Sequence, residues 1–327
     1  MTRQRFVSLG LTVLLGCAVT SSLRAQKFTF KSFNIPEAAP GTGNLSVQGI
    51  NDFDTTSGEF VDASGNIEAW TRDASGNVTP LFDPLNPALK YTVGEQINDL
   101  GILTGLFYDS ATNTFPGFFE FGGKFTTYNL PTAAPGGETS VDALNNFGSF
   151  CGFTSDPPFT QFNTFVVIGG KVDVFAVHGS YDSYCEAIND EGWTAGSWYD
   201  AGGIGHGWIR NPMNGQITTI DAPGAATTLG TAQCTTRPTG GTLVFGINDA
   251  GAVMGHFWDT SYVEHGFVRR PDGTFTIIDV PGATVTSGSA INNLGQVTGH
   301  YSIVRVVNGV GICYNFGYIG TPKDHDE

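Results

Sequence analysis

Five aspartates stand at one fixed distance from a recurring asparagine. Asp62, Asp109, Asp156, Asp200 and Asp259 each lie eleven residues past the Asn of an aliphatic-Asn-Asp/Asn tripeptide, and a sixth copy carries Ile303 there. Nine residues past the same Asn, five copies carry an aromatic: Phe60, Phe107, Trp198, Phe257 and Tyr301. Tyr199 and Trp258 follow directly in two of them. Carboxylates beside aromatic faces suit sugar recognition, because the carboxylate accepts from hydroxyls while the ring covers the apolar face of a pyranose. Carboxylates would also suit Ca²⁺. No Asp-x-Asp-x-Asp-Gly loop is present, so no motif supports Ca²⁺ and no cofactor is expected. The competing reading is structural: each Asp caps its own turn and each aromatic packs between repeats. Repetition in nearly every copy favours that reading.

Two histidine pairs are matched in the same way. His256 and His300 each follow a recurrent Gly, and His206 and His265 share a later position. Matched imidazoles in adjacent repeats suit Zn²⁺ or acid–base work, but a hydrogen bond to the neighbouring repeat's backbone is the plainer role. No His-Glu-x-x-His, Cys-x-x-Cys or Gly-x-Ser-x-Gly occurs, so neither a metal nor a catalytic residue is assigned. Gly203-Ile204-Gly205-His206-Gly207 has the wrong spacing for a phosphate loop.

What must position these residues is a repeat. The tripeptide begins at Ile50, Ile97, Leu144, Ile188, Ile247 and Ile291. Seven residues past each Asn stands Gly58, Gly105, Gly152, Gly196, Gly255 or Gly299. Three past it stand Gly101, Gly148, Gly192, Gly251 and Gly295, with Asp54 in the first copy. The Asn-Asp-x-Gly step suits a tight turn closed by a left-handed glycine. Each copy reads as four short strands, and no stretch keeps a 3.6-residue apolar period. Six four-stranded units point to an all-β, six-bladed β-propeller. The sixth copy ends without a fourth strand, while residues 30–36 repeat the pattern of residues 275–281. The N-terminal strand is therefore expected to complete the last blade and hide its edge. In such blades the second-to-third turns and the connections between blades share one face. The five aspartates would then ring one mouth. Copy four carries an insertion around residues 225–242 on that same face, where added loops often carry function.

Residues 1–25 read as a signal peptide, with Arg3 and Arg5 before an apolar run over residues 6–15, and residues 26–327 read as the single domain. The run is too short to span a bilayer, and the rest of the chain contains no transmembrane segment. The segment ending at Cys17 also suits a lipobox, which would make Cys17 a lipid anchor. Secretion, or a periplasmic location, permits disulfides. Cys151, Cys185, Cys234 and Cys313 allow three full pairings, and Cys185–Cys234 is favoured because both fall on the face of the insertion. The net charge of −15 over 327 residues excludes a basic nucleic-acid footprint, so no nucleic acid is expected as a partner.

The motifs carry a family likeness. His206-Gly207-Trp208 and His265-Gly266-Phe267, the Ile-Asn-Asp turn, and the Asp-x-Pro-Gly-Ala ends at 221–225 and 279–283 resemble the HAF-type bacterial extracellular repeat. Four copies replace the His: Glu68-Ala69-Trp70, Pro116-Gly117-Phe118, Asn163-Thr164-Phe165 and Phe316-Gly317-Tyr318. The resemblance implies a secreted or surface-associated protein and no catalytic set. The leading expectation is a binding module for extracellular carbohydrate or a surface protein. The alternatives are a propeller hydrolase or lyase using His and Asp at one mouth, and a structural envelope protein. A working site should break the six-fold pattern, whereas a purely structural repeat should not.

Overall fold

The computed structural model describes residues 23–24, 28–39, 44–82, 91–131, 136–159, 161–180, 182–235 and 237–323. The candidate signal peptide, apart from Leu23–Arg24, and Cys17 lie outside them. Leu23–Arg24 pairs in parallel with Phe275 and Thr276.

Six four-stranded antiparallel units form the blades of a six-bladed β-propeller, and Leu23–Arg24 adds a fifth strand to the blade 5 sheet. Their innermost strands are Leu45–Ile50, Thr92–Ile97, Glu138–Leu144, Ser183–Ile188, Thr242–Ile247 and Val285–Ile291. Blade 4 continues through Thr194–Tyr199, Gly205–Arg210 and Ile217–Ile220. Blade 5 continues through Val253–Trp258, Glu264–Arg269 and Phe275–Ile278. The last blade closes as expected: Phe28–Phe33 pairs antiparallel with Val310–Pro322, Ser32 opposite Tyr318 and Phe33 opposite Gly317.

The repeated residues explain the repeat. Five of the glycines three residues past the Asn have φ between +73° and +82°, and Asp54 has φ +61° in the copy that lacks the glycine. The Gly seven past the Asn lies where the first two strands touch: a Cβ on Gly196 would sit 2.0 Å from the Tyr184 carbonyl oxygen. The motif aromatics Trp70, Phe118, Phe165, Trp208, Phe267 and Tyr318 are all fully buried. They fill the gaps between blades, and this is why the third motif position keeps a large ring when the His is lost.

The asparagines lock the ring. Each Nδ2 donates to the main-chain oxygen of the next copy's Asn, running 51 to 98, 145, 189, 248, 292 and back to 51 over 2.9–3.3 Å. Each Oδ1 accepts amide hydrogens from its own turn, as Asn51 does from Phe53 and Thr55 at 3.0 Å. A second closed circle runs through the residue after each Asn. The backbone amides of Asp52, Asp99, Asn146, Asp190, Asp249 and Asn293 each donate to the next member's side-chain oxygen.

The cysteines pair differently from the expectation. The disulfides are Cys151–Cys185 and Cys234–Cys313, not Cys185–Cys234. Cys185 lies within the innermost strand of blade 4 and faces the second strand of blade 3, which carries Cys151 at a Cα–Cα distance of 5.8 Å. A shared face of the ring did not make Cys185 and Cys234 neighbours.

Candidate functional site

The structure breaks its own symmetry at blade 4. A cleft of about 820 Å³ opens there, on the face that carries the second-to-third turns and the connections between blades. Its floor comes from the start of the blade 4 inner strand, Asp182 and Tyr184, and the end of the next, Trp198, Tyr199 and Asp200. The insertion supplies one wall through Arg237, Pro238, Thr239 and Gly240, and Trp258 of blade 5 closes the side. His178 and Ser180, from the connection into blade 4, form the opposite rim.

The insertion is held in place rather than draped. Gly230–Thr231 and Pro238–Thr239 pair as a short ribbon. The Ala226 amide donates to the Trp258 carbonyl at 2.7 Å, and the Trp258 amide donates to Gly241 at 3.2 Å. Thr228 Oγ1 and Tyr262 Oη lie 2.8 Å apart. Cys234 ties the loop to Cys313 on the long blade 6 hairpin, Val297–Val307 and Val310–Pro322. A wall fixed at so many points gives a preformed site, which loses little freedom on binding.

The chemistry of the cleft is aromatic and polar. The Trp198 ring stacks on His206 at 4.6 Å and meets His178 edge-on at 5.2 Å. Tyr184 and Tyr199 meet edge to face at 6.4 Å. The indole Nε1 atoms of Trp198 and Trp258 are buried and have no acceptor among the described residues. Those of Trp70 and Trp208 are equally unpartnered but lie between blades, where they line no described cavity. Burial pushes Tyr199 up to about 12 and raises Asp182 above the usual carboxylate range. Asp200 moves the other way, lowered chiefly by the backbone amide of Ile204.

The ring of aspartates serves the turns. Asp62, Asp200 and Asp259 each accept two amides of their own turn on Oδ1, and Asp109 accepts from Ala111 and Thr112. Asp200 alone of the five also lines the cleft. Asp156 begins its own turn, its carbonyl accepting from Phe159. Phe257 packs between blades, 6.3 Å from Phe267, and Tyr301 stacks on Phe316 at 5.4 Å. His256 reaches the Gly288 carbonyl of blade 6 at 3.3 Å, and burial lowers His300 below the usual imidazole range. The motif histidines form struts: His206 Nδ1 donates to Asp221 at 2.7 Å, and His265 Nδ1 to Asp279 at 3.0 Å. Among the described residues no group of three or more His, Cys, Asp or Glu side chains is placed to hold a metal ion.

No protein-family model matches the chain, and a search of curated proteins returns no match. Among solved structures it is similar to a neuraminidase-like protein of a flat-faced bat isolate, at 10% identity and TM-score 0.52, covering 93% of this chain and 96% of that one. It is also similar to a gluconolactonase from Xanthomonas campestris, at 12% identity and TM-score 0.49, covering 94% and 98%. The Aleuria aurantia lectin follows at 10% identity and TM-score 0.48, covering 88% and 100%. Likeness at this level of identity speaks to the propeller fold alone.

Sequence reasoning missed His178, Asp182, Tyr184 and Arg237, although the insertion marked the face on which they lie. It also missed a set of buried acids on the inner strands. Glu95, Asp142 and Glu186 each sit at a bulge three residues before the Asn of blades 2, 3 and 4. Burial raises Glu186 to about 8 and Glu59 to about 7, and holds Glu95 and Asp142 well above the ordinary range. Gln96 crosses beside them, its Nε2 donating to the carbonyls of Glu186 at 2.7 Å and Phe245 at 2.6 Å.

Proposed function

We propose that this protein is an extracellular or periplasmic binding module, and that the cleft over blade 4 takes a saccharide. One observation carries the reading: a preformed cleft of about 820 Å³ is lined by the aromatic residues Tyr184, Trp198, Tyr199 and Trp258 together with the carboxylates Asp182 and Asp200. A saccharide supplies both complements, hydroxyls for the carboxylates of Asp182 and Asp200 and an apolar ring face for Trp198 and Tyr199. The two disulfides support an oxidising compartment, and no described helix is long and apolar enough to cross a membrane. The paired His206–Asp221 and His265–Asp279 struts support kinship with the HAF-type repeat, since they join two separate elements of that motif.

A glycan array probed with the purified chain tests the reading. Binding to a restricted set of saccharides, weakened at least tenfold in Trp198→Ala, supports it. No binding across the array, or binding indifferent to Trp198 and Trp258, overturns it.

A second reading has its own observation. Asp182 and Asp200 share the cleft while their environments push them in opposite directions, as an acid and a base require. Release of nitrophenol from nitrophenyl glycosides, abolished in Asp182→Asn, would favour a hydrolase over a simple binder.

A further inference from the structure

The opposite face carries a second surface. The first turn of each blade and the third-to-fourth turns open there. Two residues past the Asn stand Phe53, Leu100 and Phe147 in blades 1, 2 and 3, and Leu294 in blade 6. They are exposed by 67%, 58%, 79% and 63%. Blades 4 and 5 carry Glu191 and Ala250 instead. The four apolar side chains therefore form a crescent over four consecutive blades, held side by side by the asparagine ring.

Folding does not ask for these side chains. The turn uses only the backbone amide at that position, which donates to the Asn Oδ1 in blades 1, 2, 3 and 6. Blades with Glu191 and Ala250 close the same turn, through the amides of Gly192 and Gly251 on the Asn carbonyls. Large apolar groups clustered in water without a folding role mark a contact surface.

The crescent borders an acidic mouth. Asp52, Asp99, Asp190 and Asp249 stand around the axis, interrupted by Asn146 and Asn293, and line a small cavity of about 70 Å³. No described Lys or Arg lines it. Asn146 Nδ2 reaches Asp99 and Asp190 at 2.8 and 3.0 Å, so amides only partly answer the carboxylates. A second copy docked face to face would bring two acidic rings together, and the net charge of −15 opposes an anionic membrane.

We infer that this face docks a polypeptide segment presenting a lysine or arginine flanked by apolar side chains, the cation entering the acidic mouth and its neighbours lying on Phe53, Leu100, Phe147 and Leu294. The inference is independent of the saccharide cleft, which lies on the other face.

A phage-displayed peptide library, panned on the intact protein and counter-selected on Phe53→Ser/Phe147→Ser, tests it. The recovered peptides should carry a base with apolar neighbours. A synthetic peptide of that sequence should bind about tenfold or more weakly to the double variant. It should also weaken with salt and in Asp52→Asn/Asp99→Asn, a change the ring tolerates because Asn146 and Asn293 already occupy equivalent places. Both variants should melt like the parent, and glycan-array behaviour should not change. No enriched peptide, peptides without a base, or equal binding to the variant would overturn the inference. So would sedimentation or vesicle flotation in which the variant loses self-association or binding to phosphatidylcholine/phosphatidylglycerol vesicles instead.

Discussion

Asn292 donates its Nδ2 to the main-chain oxygen of Asn51, 3.1 Å away across 241 residues of sequence. This bond completes the inner circle of asparagines. Each member is buried and does two jobs, capping its own turn and holding the next blade. Asn292→Ala should lower unfolding free energy by about 3 kcal/mol, because it removes a donor and leaves buried amides unanswered. Asn292→Asp should fall between, since it keeps the acceptor. Urea melts followed by tryptophan fluorescence decide this, and a loss under about 1 kcal/mol would mean the circle is dispensable.

Stability should fall as pH rises from mildly acid to alkaline. Glu59 and Glu186 move from an ordinary value of 4.5 to about 7 and about 8. A raised carboxyl contributes fully below its unfolded pKa and loses that contribution as pH climbs through the folded one. His265 acts in the same sense: its hydrogen bond to Asp279 raises it above 6.5, so its contribution fades above that pH. Between about pH 5 and pH 9 the unfolding free energy should drop by about 3 kcal/mol or more. Glu186→Gln should flatten the profile. A melting temperature that rises over the same interval would contradict the assignment.

The Cys234–Cys313 bond spans 79 residues and anchors the cleft wall. Replacing both cysteines by serine should remove about 4 kcal/mol, as expected for a loop of that length. Saccharide binding should weaken along with it. Replacing Cys151 and Cys185 should destabilise the chain without that separate effect on binding, measured on the fraction that remains folded.

Asp200 and Asp62 occupy the same place in the repeat and cap the same kind of turn, yet only Asp200 lines the cleft. Asp200→Asn keeps the turn acceptor and removes the charge, so it should leave the melting temperature nearly unchanged and weaken saccharide binding severalfold. Asp62→Asn should change neither. Equal effects at both positions would argue that the cleft has no ligand.

Gly317 carries a further expectation. A Cβ there would lie 2.3 Å from the Phe33 ring, which packs on Trp70 at 6.0 Å and under Arg72 at 4.7 Å. Gly317→Ala should cost about 1–3 kcal/mol by overpacking. Pairing it with Phe33→Leu should restore part of that loss in the same urea melt.

The blades were legible because their constraints are local and repeat in register: a left-handed glycine after Asn98, a strand contact at Gly196, a buried ring at Trp208. The closing strand was legible because one copy lacked what the N-terminus had to spare. The disulfides were not, since pairing depends on which strands of adjacent blades face each other. Repetition also blurred the site. Five equivalent aspartates looked alike, and only the fold showed that Asp200 shares a cleft with Tyr184, Trp258 and the insertion. Asp142 and Glu186 drew no notice because nothing in their spacing shows that a bulge buries them.

Phe28–Phe33 and the last described strand, Val310–Pro322, run edge to edge, Phe28 opposite Pro322. A short peptide joining Phe28 to Pro322 would therefore bridge the two strands, and the circle would open at another junction between blades. Such permuted chains should regain the same cleft over blade 4, because the order in which blades are synthesised is a convention of the gene and not a requirement of the ring.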